Sequence, residues 1–108
     1  MEMLETKAYR VNIYIAGDYD AAKTVCREYS YNVGLCVTLE HADYIYTGGA
    51  ELGVIVGVSN YPRFPTSEDV VWSKAEGLAK MLMERLFQKS VMVCDGVKTV
   101  WFSVRDQD

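Results

Sequence analysis

Residues 52–58, Leu-Gly-Val-Ile-Val-Gly-Val, are almost unbroken apolar, and they run into the proline-bracketed stretch Ser59-Asn60-Tyr61-Pro62-Arg63-Phe64-Pro65. A run this short cannot cross a bilayer. It reads as a central strand buried on both faces. The remainder of the chain must therefore provide strands beside it and layers above it. Gly53 and Gly57 interrupt the run and predict a bulge, or a close approach by other backbone or a ligand.

The flanking segments meet that demand. Residues 7–16 alternate, with Tyr9, Val11, Ile13 and Ile15 on one side and Arg10, Asn12 and Tyr14 on the other. Gly17-Asp18-Tyr19-Asp20 turns the chain, and Asp18 or Asp20 is placed to cap a helix carrying Ala22, Val25, Cys26 and Tyr29 on its inner face. Asn32-Val33-Gly34 ends it. Residues 35–40 and 44–47 read as two strands with His41-Ala42-Asp43 as a turn between them, and Gly48-Gly49 suits a hairpin. After the prolines, Thr66, Ser67 and Asp69 open a helix over 68–88 with the stripe Val71, Ala75, Leu78, Leu82 and Leu86. Met81, Met83 and Phe87 lie off that stripe. Residues 91–94 and 97–104 flank Asp95-Gly96, a hairpin signal. The order β-α-β-β-β-α-β-β predicts a single α+β domain over 1–108. Two helices cover one face of a mainly antiparallel sheet, a ferredoxin-like core with an added hairpin strand. The other face is mixed in polarity and leaves room for a homo-oligomer.

With 11 basic and 15 acidic residues the net charge is −4, which argues against DNA, nucleic acid polymers and acidic membranes as partners. Three cysteines, Cys26, Cys36 and Cys94, show neither zinc spacing nor a disulfide framework and fit reduced thiols in the cytoplasm. The start of the chain lacks the pattern of a signal peptide. Residues 1–6 and 105–108 are polar or acidic and are expected to fray.

No catalytic motif is strong. His41 stands beside Glu40 and Asp43, but at an expected turn where polar residues belong anyway. A Cys36–His41 pair has odd spacing, which puts the two on opposite faces of a regular strand. Asp18, Asp20 and Asp43 are explained by caps and turns as well as by acid–base chemistry. No metal or cofactor is expected, and no catalytic residue is assigned. The aromatic count says more: the chain has eight Tyr, three Phe and two Trp. The prolines hold Tyr61 and Phe64 extended on a stiff connector with Arg63 and Asn60. This is a minimal kit for a nucleotide-like ligand, with Arg63 for charge, Tyr61 and Phe64 for stacking and Asn60 for a base edge. Arg10, Lys23, Arg27, Tyr46 and Trp72 are secondary candidates, and Tyr44 and Trp101 are further rings for a recess near the connector. The alternative is that Phe64 packs under the second helix and Arg63 faces water.

The runs Tyr14-Ile15-Ala16-Gly17-Asp18, Gly34-Leu35-Cys36-Val37-Thr38, Tyr46-Thr47-Gly48-Gly49 and Asn60-Tyr61-Pro62-Arg63-Phe64-Pro65 resemble small uncharacterised proteins carried by tailed bacteriophages. In size and general composition the chain is also similar to phage Thoeris anti-defence sponges, which trap cyclic nucleotide signals in oligomeric α+β proteins. The resemblance implies a phage-derived, non-catalytic protein of the host cytoplasm, sequestering a small anionic, nucleotide-derived ligand in a homo-oligomer. Two alternatives stand beside it. One is a protein-interaction module that inhibits a host protein, suggested by Met81, Met83 and Phe87. The other is a small isomerase, lyase or phosphodiesterase.

Overall fold

A computed structural model describes residues 1–104, so the expected fraying of 105–108 lies outside the described residues. The alternating residues form β1 (Arg10–Ala16), followed by α1 (Tyr19–Val33), β2 (Val37–Tyr46), β3 (Gly49–Ser59), α2 (Glu68–Arg85), β4 (Ser90–Cys94) and β5 (Thr99–Ser103). The strands make one five-stranded sheet in the order β2-β3-β1-β4-β5, with every neighbouring pair antiparallel. The arrangement β2-β3-β1-β4, with helices after β1 and β3, is ferredoxin-like. β5 is the added hairpin strand, and the α+β class expected from the sequence is what forms.

Both helices pack on one sheet face. Val11, Ile13 and Ile15 of β1, Val54, Val56 and Val58 of β3, and Val91 and Val93 of β4 meet Ala22, Val25 and Cys26 of α1 and the α2 stripe Val71, Ala75, Leu78, Leu82 and Leu86. Asp18 is the cap of α1, its carboxylate accepting from the Ala21 amide at 2.9 Å, and Ser67 caps α2 through Val70. No helix is long and apolar enough to cross a membrane among the described residues.

Three local expectations change. The two short strands at 35–40 and 44–47 are one strand, and the expected turn at His41-Ala42-Asp43 pairs in register with Val54, Gly53 and Leu52. β2 is the sheet's edge, where polar side chains reach water on either face, so their presence does not break the strand. The Asp95-Gly96 connection is longer than two residues: the Asp95 carboxylate accepts from Val97 and Lys98 at 2.9 and 2.8 Å, and β5 begins only at Thr99. Finally, β3 is not the central strand, since β1 is, and it carries no bulge. Its glycines answer instead to close neighbours in the same sheet, the β1 backbone and the Tyr44 ring at Gly53 and side chains at Gly57, so the expected close approach holds. A Cβ on Gly53 would stand 2.5 Å from the Tyr44 ring, and one on Gly57 would stand 2.1 Å from the Arg10 guanidinium. Tyr44 and Arg10 thus lie flat across β3 on the face opposite the helices. Among the described residues no further layer covers that face.

Candidate functional site

The connector is ordered by its prolines, as the sequence requires. Phe64 N donates to Tyr61 O at 2.9 Å, closing a turn with Pro62 at the position where its fixed φ fits. The Tyr61 and Phe64 rings stack with centroids 6.5 Å apart, and the Arg63 guanidinium lies 5.4 Å from the Phe64 centroid. Phe64 is 69% exposed and so is not sealed under α2. Asn60 takes a different part from the one expected. Its amide donates to Thr6 Oγ1 and Lys7 O at 3.2 and 3.0 Å and accepts from the Thr66 amide at 3.0 Å. It splints the connector to the chain ahead of β1, and its side-chain groups are engaged in that task.

Beside the connector lies a recess of 480 Å³ lined by Tyr61, Phe64, Leu35, Cys36, Val71 and Lys74, with the hydroxyls of Ser30, Ser59 and Thr66. Of the connector cluster, Tyr61 and Phe64 face it, while Asn60 and Arg63 do not line it. Its cation is Lys74, whose ammonium donates to Gly34 O at 3.1 Å. Sequence reasoning missed Lys74 because it comes from the second turn of α2, beyond the prolines.

The secondary candidates scatter. Arg10 lies on the open sheet face, donating to Asn12 and Thr38 at 2.8 and 3.2 Å and pairing with Glu40 at 3.5 Å. Lys23 and Arg27 are exposed on α1 and line neither this recess nor the one described below. Trp72 is half-buried on α2, with the Lys98 ammonium 4.1 Å from its ring centroid. Cys36 lies just before β2 and lines the connector recess, whereas His41 within β2 lines a different one, so they do not meet. His41 stacks on Tyr19 at 3.8 Å, near Asp18, Asp20 and Asp43. Among the described residues no cluster of three His, Cys, Asp or Glu is arranged to hold a metal.

Three of the rings expected near the connector, Tyr44, Tyr46 and Trp101, gather instead on the uncovered face of the sheet. Tyr14 of β1, Tyr44 and Tyr46 of β2, Glu51 of β3, Met92 of β4 and Trp101 of β5 line a recess of 310 Å³. Register explains the convergence. Tyr14 is paired with Met92, and Met92 with Trp101, so the three form a row across β1, β4 and β5. Tyr44 is paired with Glu51 on the other wing. The Tyr44 hydroxyl donates to Val54 O, and burial pushes its pKa up, so it is a neutral donor held against backbone. Tyr46 donates to the Glu51 carboxylate at 3.0 Å, which raises the phenol's pKa and fixes the carboxylate. Trp101 is 61% exposed. No Lys or Arg lines this recess. It combines four rings and a carboxylate, a thioether and no cation. Such a surface attracts an organic cation and repels an anion.

Comparison with known proteins adds the fold's other members. A solved phage SAM lyase in the apo state matches 100% of this chain and 98% of its own, with a TM-score of 0.78 and 17% identity. A phage SAM lyase in complex with S-methyl-5'-thioadenosine matches over the same shares, with a TM-score of 0.70 and 16% identity. No protein-family model and no curated protein matches the chain by sequence. These structures overturn the expectation of a non-catalytic sponge. Both solved structures that share the fold from end to end are of a phage SAM lyase.

Proposed function

We propose that this chain is a lyase acting on a sulfonium nucleoside of the S-adenosylmethionine type, with the tyrosine-lined recess on the open sheet face as its site. The observation that carries the reading is the charge pattern there: Tyr14, Tyr44, Tyr46 and Trp101 surround Glu51 with no basic residue among them. A sulfonium is a compact cation flanked by apolar carbons, and ring faces with one carboxylate complement it. The connector has the opposite sign, offering Arg63 and Lys74.

The chemistry suits a site with no paired acid and base. Going from S-adenosylmethionine to S-methyl-5'-thioadenosine breaks one carbon–sulfur bond, and the bonding pair stays on sulfur. The leaving group departs as a neutral thioether, so no acid is needed to protonate it. The carbon left behind is closed by the substrate's own carboxylate oxygen, which forms a carbon–oxygen bond as the carbon–sulfur bond breaks, so no proton has to be moved. Glu51 and the rings orient the sulfonium, and Tyr46 keeps Glu51 in place. Charge on sulfur vanishes along this path. A site that holds the cation loosely, through ring faces, avoids over-stabilising the ground state.

A homo-oligomer built on the same face completes the reading. Trp101, Met92 and Tyr46 stand exposed on it, and a second subunit there would wall in the ligand. The phage origin and the reduced cytoplasm expected from the sequence go with this reading, and the described cysteines are all free.

Trp101 provides the test. In a Trp72→Phe background it is the one remaining tryptophan. Titration with S-methyl-5'-thioadenosine is expected to change its emission saturably, and Tyr44→Ala is expected to abolish the change. A flat titration, or one indifferent to Tyr44→Ala, removes this recess as the site.

A further inference from the structure

We propose that residues 1–5, Met-Glu-Met-Leu-Glu, form a docking arm that seats in the connector recess of a second copy of this chain. This is independent of the lyase reading and concerns a different face.

The arm leaves the body from a fixed root. Asn60 holds Thr6 Oγ1 at 3.2 Å and Lys7 O at 3.0 Å, and Lys7 pairs with Glu68 at 3.6 Å. Beyond that root three apolar side chains out of five find no cover: Met3 is 87% exposed, Leu4 is 52% exposed and Met1 is wholly exposed. Exposed apolar side chains carried on a segment pinned at one end mark an interaction element. Methionine suits it, because an unbranched thioether conforms to an irregular pocket.

The connector recess has the complementary character. Leu35, Val71, Tyr61 and Phe64 give it apolar walls within 480 Å³, and it is lined by no carboxylate. Lys74 lines it, Arg63 stands over the Phe64 ring on the connector beside it, and among the described residues neither pairs with an acid. The arm carries Glu2 and Glu5, either side of Met3-Leu4. Apolar residues flanked by two carboxylates thus match apolar walls flanked by two cations.

The occupant is a neighbour's arm for a geometric reason. The root sits one residue before Tyr61 on the same connector, yet none of residues 1–5 lines the adjacent recess, which stays open in its own subunit. Five extended residues reach roughly 17 Å, enough to cross to an adjoining subunit. Each copy offers one arm and one recess, so exchange closes a dimer or a ring with no arm left over.

Cys36 supplies the assay, because it lines the recess and is exposed. Leu4→Cys is oxidised with copper–phenanthroline and run on a non-reducing gel. A thiol-reversible cross-link between two chains is expected, and it is lost in Leu4→Cys/Cys36→Ser. Wild type, which keeps Cys26, Cys36 and Cys94 but has no thiol at position 4, gives none. Lys74→Glu, which leaves the fold's core untouched, is expected to lower the cross-linked yield. Absence of the cross-link, its survival without Cys36, or a disulfide closed within one chain overturns the proposal.

Discussion

Gly53 and Gly57 occupy alternate-equivalent places on β3 and look interchangeable in sequence, yet alanine should separate them. A Cβ on Gly53 meets backbone: it would stand 2.5 Å from Ile15 O and 2.8 Å from Ala16 Cα, as well as 2.5 Å from Tyr44 Cε2. The ring can turn away, but β1 cannot withdraw without opening its ladder to β3. Overpacking of this kind costs about 1–3 kcal/mol. The smaller entropy of unfolded alanine returns about 0.4–1 kcal/mol. For a domain of this size the remainder lowers the melting temperature by roughly 2–10 °C. The Cβ on Gly57 meets the ends of side chains instead, Arg10 Nη2 at 2.1 Å and Thr38 Oγ1 at 2.6 Å. Arg10 can swing into water, giving up exposed bonds and a surface ion pair worth about 0–1 kcal/mol. The same entropic return of about 0.4–1 kcal/mol then leaves Gly57→Ala near neutral. Calorimetric or circular-dichroism melts of the two variants decide the matter. If Gly53→Ala melts with wild type, or Gly57→Ala falls equally far, the close-approach account of β3 is wrong.

Two further outcomes follow from titrating groups. Burial, and then the hydrogen bond to Asp95 at 2.9 Å, push the Tyr9 phenol up to about 12. The fold therefore favours its neutral form, and that contribution is whole below pH 10 and is lost as pH climbs from 10 towards 12. Tyr9→Phe should flatten the alkaline fall in urea-melt stability over that window, while Tyr29 and Tyr44, also raised by burial, keep part of it. An unchanged slope would refute the assignment. Among the cysteines, burial pushes the Cys26 thiol up to about 11, whereas Cys36 is exposed. A thiol reagent at neutral pH should modify Cys36 first and Cys26 only on unfolding, and mass spectrometry of the labelled protein checks the order.

Much of the fold was written in local pattern. Val11, Ile13 and Ile15 alternate because one face of β1 is buried, and the α2 stripe from Val71 to Leu86 repeats at helical spacing because one side of that helix is. Asp18 and Ser67 announced their helices. His41-Ala42-Asp43 misled because polarity marks a turn only where a strand must be covered, and β2 is an edge. The connector's turn was legible from two prolines, but its chemistry was not. Asn60 bonds to Thr6 and Lys7, more than fifty residues away in sequence, and Lys74 enters from a helix. The open-face recess was harder still. Alternation assigns Tyr14 to a face, but only the registers of β1 with β4 and β4 with β5 bring Met92 and Trp101 beside it. The count of rings was the visible signal, and their meeting place was not.

The most direct measurement is turnover itself. The purified protein is incubated with S-adenosylmethionine, and nucleosides are resolved by reverse-phase chromatography against a protein-free blank. S-methyl-5'-thioadenosine should rise in proportion to protein and beyond one equivalent per chain. Glu51→Gln and Trp101→Ala should each lower kcat/KM by roughly tenfold, the scale of one lost interaction of about 1.4 kcal/mol. Substrate left intact by equimolar protein, or turnover unchanged in both variants, would contradict the account.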